Sequence, residues 1–162
     1  MNVKLVPATK RDIGEVNTIM KDSKAYWGYD ENFMKKFMDI FQVTEDYLDS
    51  SITKILYKVC GDGKIPIGFF SISYATGEGV ELDNFFITPE QIGKGYGKKL
   101  WDHMLETMKP LKASTFTLWS DPGAEGFYRK MSCIKIGNKE SPMLPGRKPA
   151  IYQYSMTNSL LD

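Results

Sequence analysis

The chain has little of what metal sites, disulfide frameworks and membrane spans require. Its 162 residues include two cysteines, Cys60 and Cys133, and one histidine, His103. Two cysteines are too few for a disulfide framework, and one histidine excludes a multi-histidine metal site. No segment approaches the roughly 18 to 20 apolar residues that a transmembrane helix needs. We therefore expect no metal, no membrane partner and a reducing, cytoplasmic location.

An excess of charge of either sign is also missing. The chain has 21 Lys and Arg residues against 20 Asp and Glu residues, for a net charge of +1. A nucleic-acid-binding domain usually shows a basic patch, so we expect no nucleic-acid partner. With 42% hydrophobic residues, the chain can fill one core but is too short for two ordinary domains. We predict a single domain over residues 1–162.

The apolar patterns predict a mixed α/β domain whose helices interrupt its strands without alternating regularly with them. Aromatic and β-branched runs predict strands, and apolar residues spaced three and four apart predict helices. The predicted strands span residues 2–7, 52–60, 66–76, 81–87, 115–119, 133–136 and 150–156. The predicted helices span residues 10–22, 31–42 and 96–108, with a short helix within 120–131. Residues 141–149 read as a long proline-containing turn.

A glycine-rich turn, residues 91–99, joins one of these strands to the helix over 96–108. Its glycines alternate with other residues as Gly93, Gly95 and Gly97. Unpaired N–H groups and the positive end of the helix dipole favour an anion at a helix N-terminus. Glycine lets the backbone approach that anion with no Cβ in the way. The turn is therefore predicted to bind a phosphate group.

Two familiar phosphate loops do not fit this turn. A Walker-type loop needs a glycine five positions before the Gly97-Lys98 pair and a Ser or Thr after it. The chain has Ile92 and Lys99 at those positions. A dinucleotide fold needs Gly-x-Gly-x-x-Gly in an early βαβ unit, whereas these glycines alternate strictly in the middle of the chain.

The segment Ile92-Gly93-Lys94-Gly95-Tyr96-Gly97 resembles the pyrophosphate loop of the GNAT superfamily, the acyl-CoA-dependent N-acetyltransferases. That loop reads Gln/Arg-x-x-Gly-x-Gly/Ala, and Ile92 stands where the family usually has Gln or Arg. Backbone amides hold most of the pyrophosphate in the family, so this departure weakens the resemblance only a little.

A second GNAT signature, Asn-x-x-Ala-x-x-Phe-Tyr-x-x-x-Gly-Phe, is matched further along the chain. Ala124, Phe127 and Tyr128 are in place, while Asp121 replaces the Asn and 132–133 read Ser-Cys instead of Gly-Phe. The two signatures and the order of elements extend the resemblance over nearly the whole chain.

The resemblance implies a fold and a cofactor site. The fold would be a mostly antiparallel sheet of six to seven strands, splayed between the fourth and fifth strands, with about four flanking helices. Acetyl-CoA would be the co-substrate, its pantetheine arm along the fourth strand and its pyrophosphate on the glycine turn. The residues expected to bind it are Phe85, Phe86, Ile87, Ile92, Gly93, Lys94, Gly95, Tyr96, Gly97, Lys98 and Asp121. The side chains of residues 85–87 can equally be core residues.

The resemblance also implies roles for individual groups. Glu81 matches a glutamate that serves several family members as the base, although others use a bound water. The N–H near Phe86 is the expected oxyanion donor, and Tyr128 matches a tyrosine that protonates the leaving thiolate. Neither cysteine has an obvious basic neighbour in the sequence, so we expect direct attack by the amine rather than an acyl-cysteine route.

The amine acceptor is less constrained by the sequence. Tyr26, Trp27 and Tyr29 lie where the family has variable substrate loops, and they read either as a substrate pocket or as a packed corner between helices. Asp83 lies two residues after Glu81, which places both carboxylates on one face of a strand. We assign these four residues to a small-molecule or peptide amine, although the two carboxylates can also be plain surface charge. The turn over 141–149 reads either as a second wall of the same pocket or simply as a rigid loop.

Two other functions remain open at this stage. One is a CoA-binding sensor or regulatory module without turnover, because the loop could be intact while the acceptor chemistry is lost. The other is a structural or protein-interaction domain that does not bind CoA. The acyl-chain preference and the oligomeric state are also undetermined; family members are often homodimers, by analogy alone.

Overall fold

The computed structural model describes residues 2–75, 79–141 and 147–157. Their strands are β1 (Val3–Pro7), β2 (Ser51–Cys60), β3 (Gly63–Ala75), β4 (Gly79–Ile87), β5 (Thr115–Ser120), β6 (Ile134–Asn138) and β7 (Ala150–Ser155). Their helices are α1 (Ile13–Ala25), α2 (Glu31–Phe41), α3 (Glu45–Ser50), α4 (Tyr96–Met108) and α5 (Glu125–Lys130). Four 3-10 turns accompany these helices, at Lys10–Asp12, Pro89–Gln91, Lys109–Leu111 and Pro122–Ala124. None of the described helices is long and apolar enough to cross a membrane.

The strands form one sheet of seven, in the order β1-β2-β3-β4-β5-β7-β6. Every neighbouring pair is antiparallel except β4 and β5, which are parallel. The parallel ladder is short: it pairs Val80 with Phe116 and Glu81 with Thr117, and extends no further. The two strands therefore diverge beyond Glu81. The predicted sheet, mostly antiparallel and splayed between its fourth and fifth strands, is confirmed.

A β-bulge in β4 changes which of its side chains face each side of the sheet. Ser71 of β3 pairs with Asn84, whereas the next residue, Ile72, pairs with Leu82, so Asp83 is the extra residue. Before the bulge the even-numbered side chains of β4 contact the larger of two cores, and after it the odd-numbered ones do. Since a bulge bends its strand, it contributes to the divergence of β4 from β5.

The sheet separates two hydrophobic cores. The larger one packs α4 and α5 on one face, with Leu100, Trp101 and Met104 fully or almost fully buried. The smaller one packs α1, α2 and α3 on the other face, around Val16 and Phe37. Successive residues of β2 alternate between the two cores, as the period of two in a strand requires.

Most predicted elements are present, with shifted ends. The first helix begins at Ile13 because Thr9 and Asp12 form a capping box around a 3-10 turn, and it continues to Ala25. β3 begins at Gly63, three residues earlier than predicted. The prediction at position 76 and most of the predicted turn over 141–149, namely residues 142–146, lie outside the described residues. No helix was predicted from the sequence over the residues of α3.

Candidate functional site

A cleft of about 1160 Å³ opens where β4 and β5 diverge. One end is closed by the glycine turn before α4, and the floor is the second half of β4. The side walls come from the end of β5, from α5, and from the α1–α2 region. The cleft therefore brings segments that are far apart in the sequence to a single opening in the sheet.

The floor of the cleft is the edge of β4 that β5 leaves unpaired. Phe85 and Phe86 pair with β3 on one side only, because the ladder to β5 ends at Glu81. Phe85 packs against the larger core and Phe86 against the smaller one. Side-chain burial and an available backbone edge thus coexist here. The Ile87 carbonyl already accepts a hydrogen bond of 2.6 Å from the Ser23 hydroxyl.

The glycine turn has the geometry of an open cradle. Gly93 and Gly95 have φ of +81° and +83°, and a Cβ built on either would meet no atom within 4 Å. Gly95 is also the N-cap of α4, with no side chain capping the helix N–H groups. Those groups are therefore available to an anion. Gly97 differs from these two glycines, because it packs closely on Phe127 and an added Cβ would lie 3.0 Å from that ring.

The side chains of this turn are less suited to a ligand than its backbone. Tyr96 is buried in the larger core, and the Lys94 side chain is exposed. Ile92 and Lys98 line the cleft, but the Lys98 ammonium pairs with Asp102 at 3.1 Å. Gln91, directly before Ile92, adds a further polar group: its Oε1 is buried and has no hydrogen-bond partner among the described residues.

Glu81 and Asp83 form an acidic section of the cleft wall. The Tyr47 hydroxyl of α3 donates a hydrogen bond of 2.6 Å to Asp83 Oδ2. Burial, and then the Asp83 carboxylate, raise the pKa of Tyr47, with a further contribution from Glu81. Thr44 is the N-cap of α3, and its hydroxyl accepts from the Tyr47 N–H at 3.1 Å. The short helix that the sequence did not reveal therefore holds a tyrosine against both carboxylates.

Tyr128 lies on the opposite wall, in α5, and is buried with one side on the cleft. Its ring contacts Phe85 and Trp101, with centroids 6.3 and 6.1 Å away. Burial, with the nearby Asp121 carboxylate, raises the pKa of Tyr128, so its hydroxyl keeps its proton near neutral pH. Burial also raises the pKa of the neighbouring Cys133 thiol to about 12, so this cysteine is a poor nucleophile.

Asp121 is the centre of an ion cluster on the cleft wall. Its Oδ1 accepts from the Lys24 ammonium at 2.5 Å and from the Tyr29 hydroxyl at 2.7 Å. Arg147 Nη2 lies 3.5 Å from the same oxygen and donates to the Tyr29 hydroxyl at 2.6 Å. Burial, and then the bond to Asp121, raise the pKa of Tyr29 to about 12. Burial lowers the pKa of Lys24, although Asp121 opposes this shift.

Three aromatic residues, Tyr26, Trp27 and Tyr29, lie in the link between α1 and α2, some on the cleft and some on the surface. Trp27 lines the cleft and packs on Gly123, where an added Cβ would lie 2.6 Å from the indole ring. Tyr26 is 53% exposed and touches the edge of Trp27, so it supports the wall from outside. Tyr29 joins the ion cluster and stacks on Phe33 with ring centroids 4.2 Å apart.

The structure thus brings most of the sequence-predicted site residues to one cleft. Their assigned roles stay predictions. Three groups were missed: Lys24, Arg147 and Tyr47. Lys24 adjoins the aromatic link and could have been suspected for that reason. Arg147 lies in the turn that was predicted as a second pocket wall, but no local pattern indicates its contact with Tyr29, which joins residues 118 positions apart.

Comparisons with known proteins agree with this geometry. A family model described as an acetyltransferase (GNAT) domain matches residues 12–141. A GCN5-related N-acetyltransferase from Rhodopseudomonas palustris has a TM-score of 0.76 at 17% identity, with 96% of each chain covered. A GNAT-family acetyltransferase from Staphylococcus aureus Mu50 gives 0.72 at 15% identity, covering 96% of this chain and 99% of the other.

A third similar structure is the PaiA N-acetyltransferase from Thermoplasma acidophilum in complex with coenzyme A. It gives a TM-score of 0.69 at 18% identity, covering 96% of this chain and 99% of the other. The comparison with curated proteins gives no significant match. At these identities the structural likeness establishes only the fold. The family model is what establishes the family. Because that model spans well over half of the sequence, the chain belongs to the GNAT family of acetyltransferases.

Proposed function

We propose that this protein is an N-acetyltransferase that moves an acetyl group from acetyl-CoA to a primary amine by direct attack in a ternary complex. The proposal rests on one observation: the glycine turn, the unpaired edge of β4, Glu81 and Tyr128 all line the same cleft between β4 and β5. Membership of the GNAT family supports acetyl transfer, and the similar Thermoplasma acidophilum protein was solved with coenzyme A. We further propose a cytoplasmic location and a small-molecule or peptide acceptor.

The residues of the cleft fit acetyl-CoA. The open space over Gly93 and Gly95 suits a pyrophosphate on the helix N-terminus. Gln91 Oε1 has no hydrogen-bond partner in the described part of the chain, and a ligand N–H is a natural donor for it. The cleft of about 1160 Å³ is somewhat larger than the roughly 300 to 1,000 Å³ of an ordinary small-molecule site, which suits two substrates. When bound, acetyl-CoA supplies the thioester carbonyl that the amine attacks.

The proposed roles of the chain's own groups follow from their positions. Glu81 accepts a proton from the substrate ammonium, which frees the nitrogen lone pair for attack. A backbone N–H near Phe86, on the edge of β4 that β5 leaves unpaired, stabilises the negative charge that develops on the carbonyl oxygen. As the new C–N bond forms and the C–S bond breaks, Tyr128 donates a proton to the departing sulfur. The second amine proton restores the Tyr128 phenol, directly or through solvent, and Glu81 releases its proton to solvent, so the products are an amide, a free thiol and one proton.

A thiol-release assay tests this function. The purified protein is incubated with acetyl-CoA and a panel of amines, polyamines, aminoglycosides and peptides, and free CoA thiol is followed over time. We expect acetyl-CoA to raise the melting temperature and at least one amine to accelerate thiol release. Stabilisation by acetyl-CoA with no amine-dependent release would favour a regulatory CoA-binding module instead. The absence of any stabilisation would overturn the cofactor assignment itself.

A further inference from the structure

The ion cluster on the cleft wall contains more positively charged than negatively charged side chains. Lys24 and Arg147 are cations, Asp121 is the carboxylate between them, and Tyr29 is neutral. The side chains of Lys24 and Asp121 are only 11% and 12% exposed, and that of Arg147 is 23% exposed. Among the described residues, the cluster therefore holds one more positive charge than negative charge in a poorly hydrated position.

Aromatic rings surround the two cations. The Lys24 ammonium lies 4.7 Å from the centroid of Phe37 and 5.1 Å from that of Tyr29. The Arg147 guanidinium lies 4.7 Å from the centroid of Phe33 and 4.8 Å from that of Tyr29. Such rings attract a cation weakly but supply no second anion. Both cations line the cleft, so the excess charge borders space that a bound substrate would occupy.

A buried charge without a full partner is costly, and a site that retains one commonly uses it to bind an opposite charge. A guanidinium matches the planar fork of a carboxylate, and a lysine ammonium adds a second donor. We propose that the acceptor amine carries a carboxylate, which Arg147 and Lys24 bind at the Asp121 end of the cleft. This inference rests on the proposed function and narrows its substrate class.

Other parts of the cleft agree with a substrate that has two charged ends and an apolar body. Glu81 and Asp83 lie on the wall of the same cleft, where a substrate ammonium would be attracted. Trp27, Phe33 and Phe37 line the region near the cations and offer aromatic surface. A polyamine, which has cations at both ends, would instead place one of them against Lys24 and Arg147. We therefore expect polyamines to be poor acceptors.

Matched acceptor pairs test the proposal. Phenylalanine and longer ω-amino acids are each compared with the corresponding primary amide, which keeps the amine and the size but removes the negative charge. We expect kcat/KM to be about tenfold or more higher for the acids, the factor that a charge-assisted hydrogen bond supplies. If amides and acids are acetylated equally well, the inference is overturned while the proposed function stands. If no amine is acetylated, the proposed function fails as well.

The variant Arg147→Met connects this preference to the cluster. It removes the bond to the Tyr29 hydroxyl but leaves Lys24 paired with Asp121, so we expect the protein to stay folded and its affinity for acetyl-CoA to be unchanged. The KM for the acids should rise by about tenfold and the preference over the amides should disappear, whereas Arg147→Lys should recover part of it. Lys148→Met, at the exposed neighbouring lysine, is the matched control and should behave as wild type. An Arg147→Met protein that keeps the preference contradicts the inference.

Discussion

At the residue scale, the proposed acid of the reaction is the Tyr128 hydroxyl. Its burial keeps the phenol protonated near neutral pH, so it is ready to donate to a departing thiolate. Tyr128→Phe keeps the ring contacts with Phe85 and Trp101 and removes only the proton donor. We expect kcat to fall by about a hundredfold at saturating substrates, with little change in the melting temperature.

The matched control for this prediction is Tyr74→Phe, which removes the hydroxyl of an exposed tyrosine on β3. It should leave both turnover and stability unchanged. A Tyr128→Phe protein with full turnover would remove the acid role from this residue and leave protonation of the sulfur to solvent.

The proposed base, Glu81, gives a second residue-scale prediction. Glu81→Gln keeps the size of the side chain but cannot take a proton from the substrate ammonium. We expect kcat/KM to fall by about a hundredfold near neutral pH and to recover as the pH rises toward about 10, where the amine loses its proton in solution. A pH–rate profile measures this. A profile unchanged from wild type would show that a bound water, and not Glu81, is the base.

The comparison for Glu81 is Asp83→Asn, because both carboxylates lie on the same cleft wall. Asp83 already accepts the Tyr47 hydroxyl at 2.6 Å and is exposed, so it is less suited to receive a substrate proton. We expect Asp83→Asn to change the KM for the amine more than the shape of the pH–rate profile. If Asp83→Asn instead changes the shape of the pH–rate profile more than the KM, Asp83 is the base and Glu81 the residue that attracts the amine.

At the element scale, the N-terminus of α4 depends on backbone that only glycine adopts without strain. Gly95 has φ of +83° as the N-cap of this helix. Gly95→Ala should lower the free energy of unfolding by about 1 kcal/mol, because an L residue is strained in the left-handed region. It should also weaken acetyl-CoA binding, since the turn must relax away from the geometry that presents its N–H groups. Chemical denaturation and calorimetry measure the two effects.

Gly14→Ala is the matched control, because it adds the same methyl group in α1. The built Cβ at Gly14 meets nothing within 4 Å, and no positive φ occurs there. Alanine favours a helix over glycine, so this variant should gain roughly 0.5 to 1 kcal/mol of stability and bind acetyl-CoA as wild type does. Equal effects of the two substitutions would contradict the conformational argument.

The elements that the sequence revealed are those with a strong local signal. The glycine turn, the stripe of α4 and the aromatic run of β4 are each visible over a few residues, and all three are present. α3 has only six residues, too few for an apolar period, and its one signal was Thr44 followed by Glu45 and Asp46. The bulge at Asp83 is set by pairing with β3, which no local pattern encodes.

At the scale of the whole molecule, the site depends on contacts between distant segments. Lys24 and Asp121 are 97 positions apart, and Arg147 reaches Tyr29 across 118. A family signature identified Asp121, but the composition of its ion cluster follows only from how α1, the end of β5 and the chain before β7 meet. The glycine turn and the edge of β4 were therefore predictable from the sequence, whereas the contacts within the ion cluster were not.

The fold as a whole should lose stability at alkaline pH. Burial raises the pKa of Tyr29 to about 12, and it also raises the pKa of Tyr47, Tyr57 and Tyr128. Unfolded tyrosines lose their protons near pH 10, while the folded protein still holds them. The buried phenols therefore make their full contribution to the free energy of unfolding below about pH 10, and this contribution is lost as the pH rises toward about 12. Lys24, with its lowered pKa, acts in the opposite direction but is a single group.

Urea denaturation at a series of pH values, with tyrosinate absorbance recorded in parallel, measures this loss. The urea midpoint should fall steadily above about pH 10, and the folded protein should ionise its tyrosines later than the unfolded chain. Tyr29→Phe should make the fall less steep, because one of the contributing phenols is gone, whereas Tyr74→Phe removes an exposed phenol and should leave the slope unchanged. A midpoint that stays constant between about pH 9 and 12 would show that these hydroxyls are not buried in the folded protein.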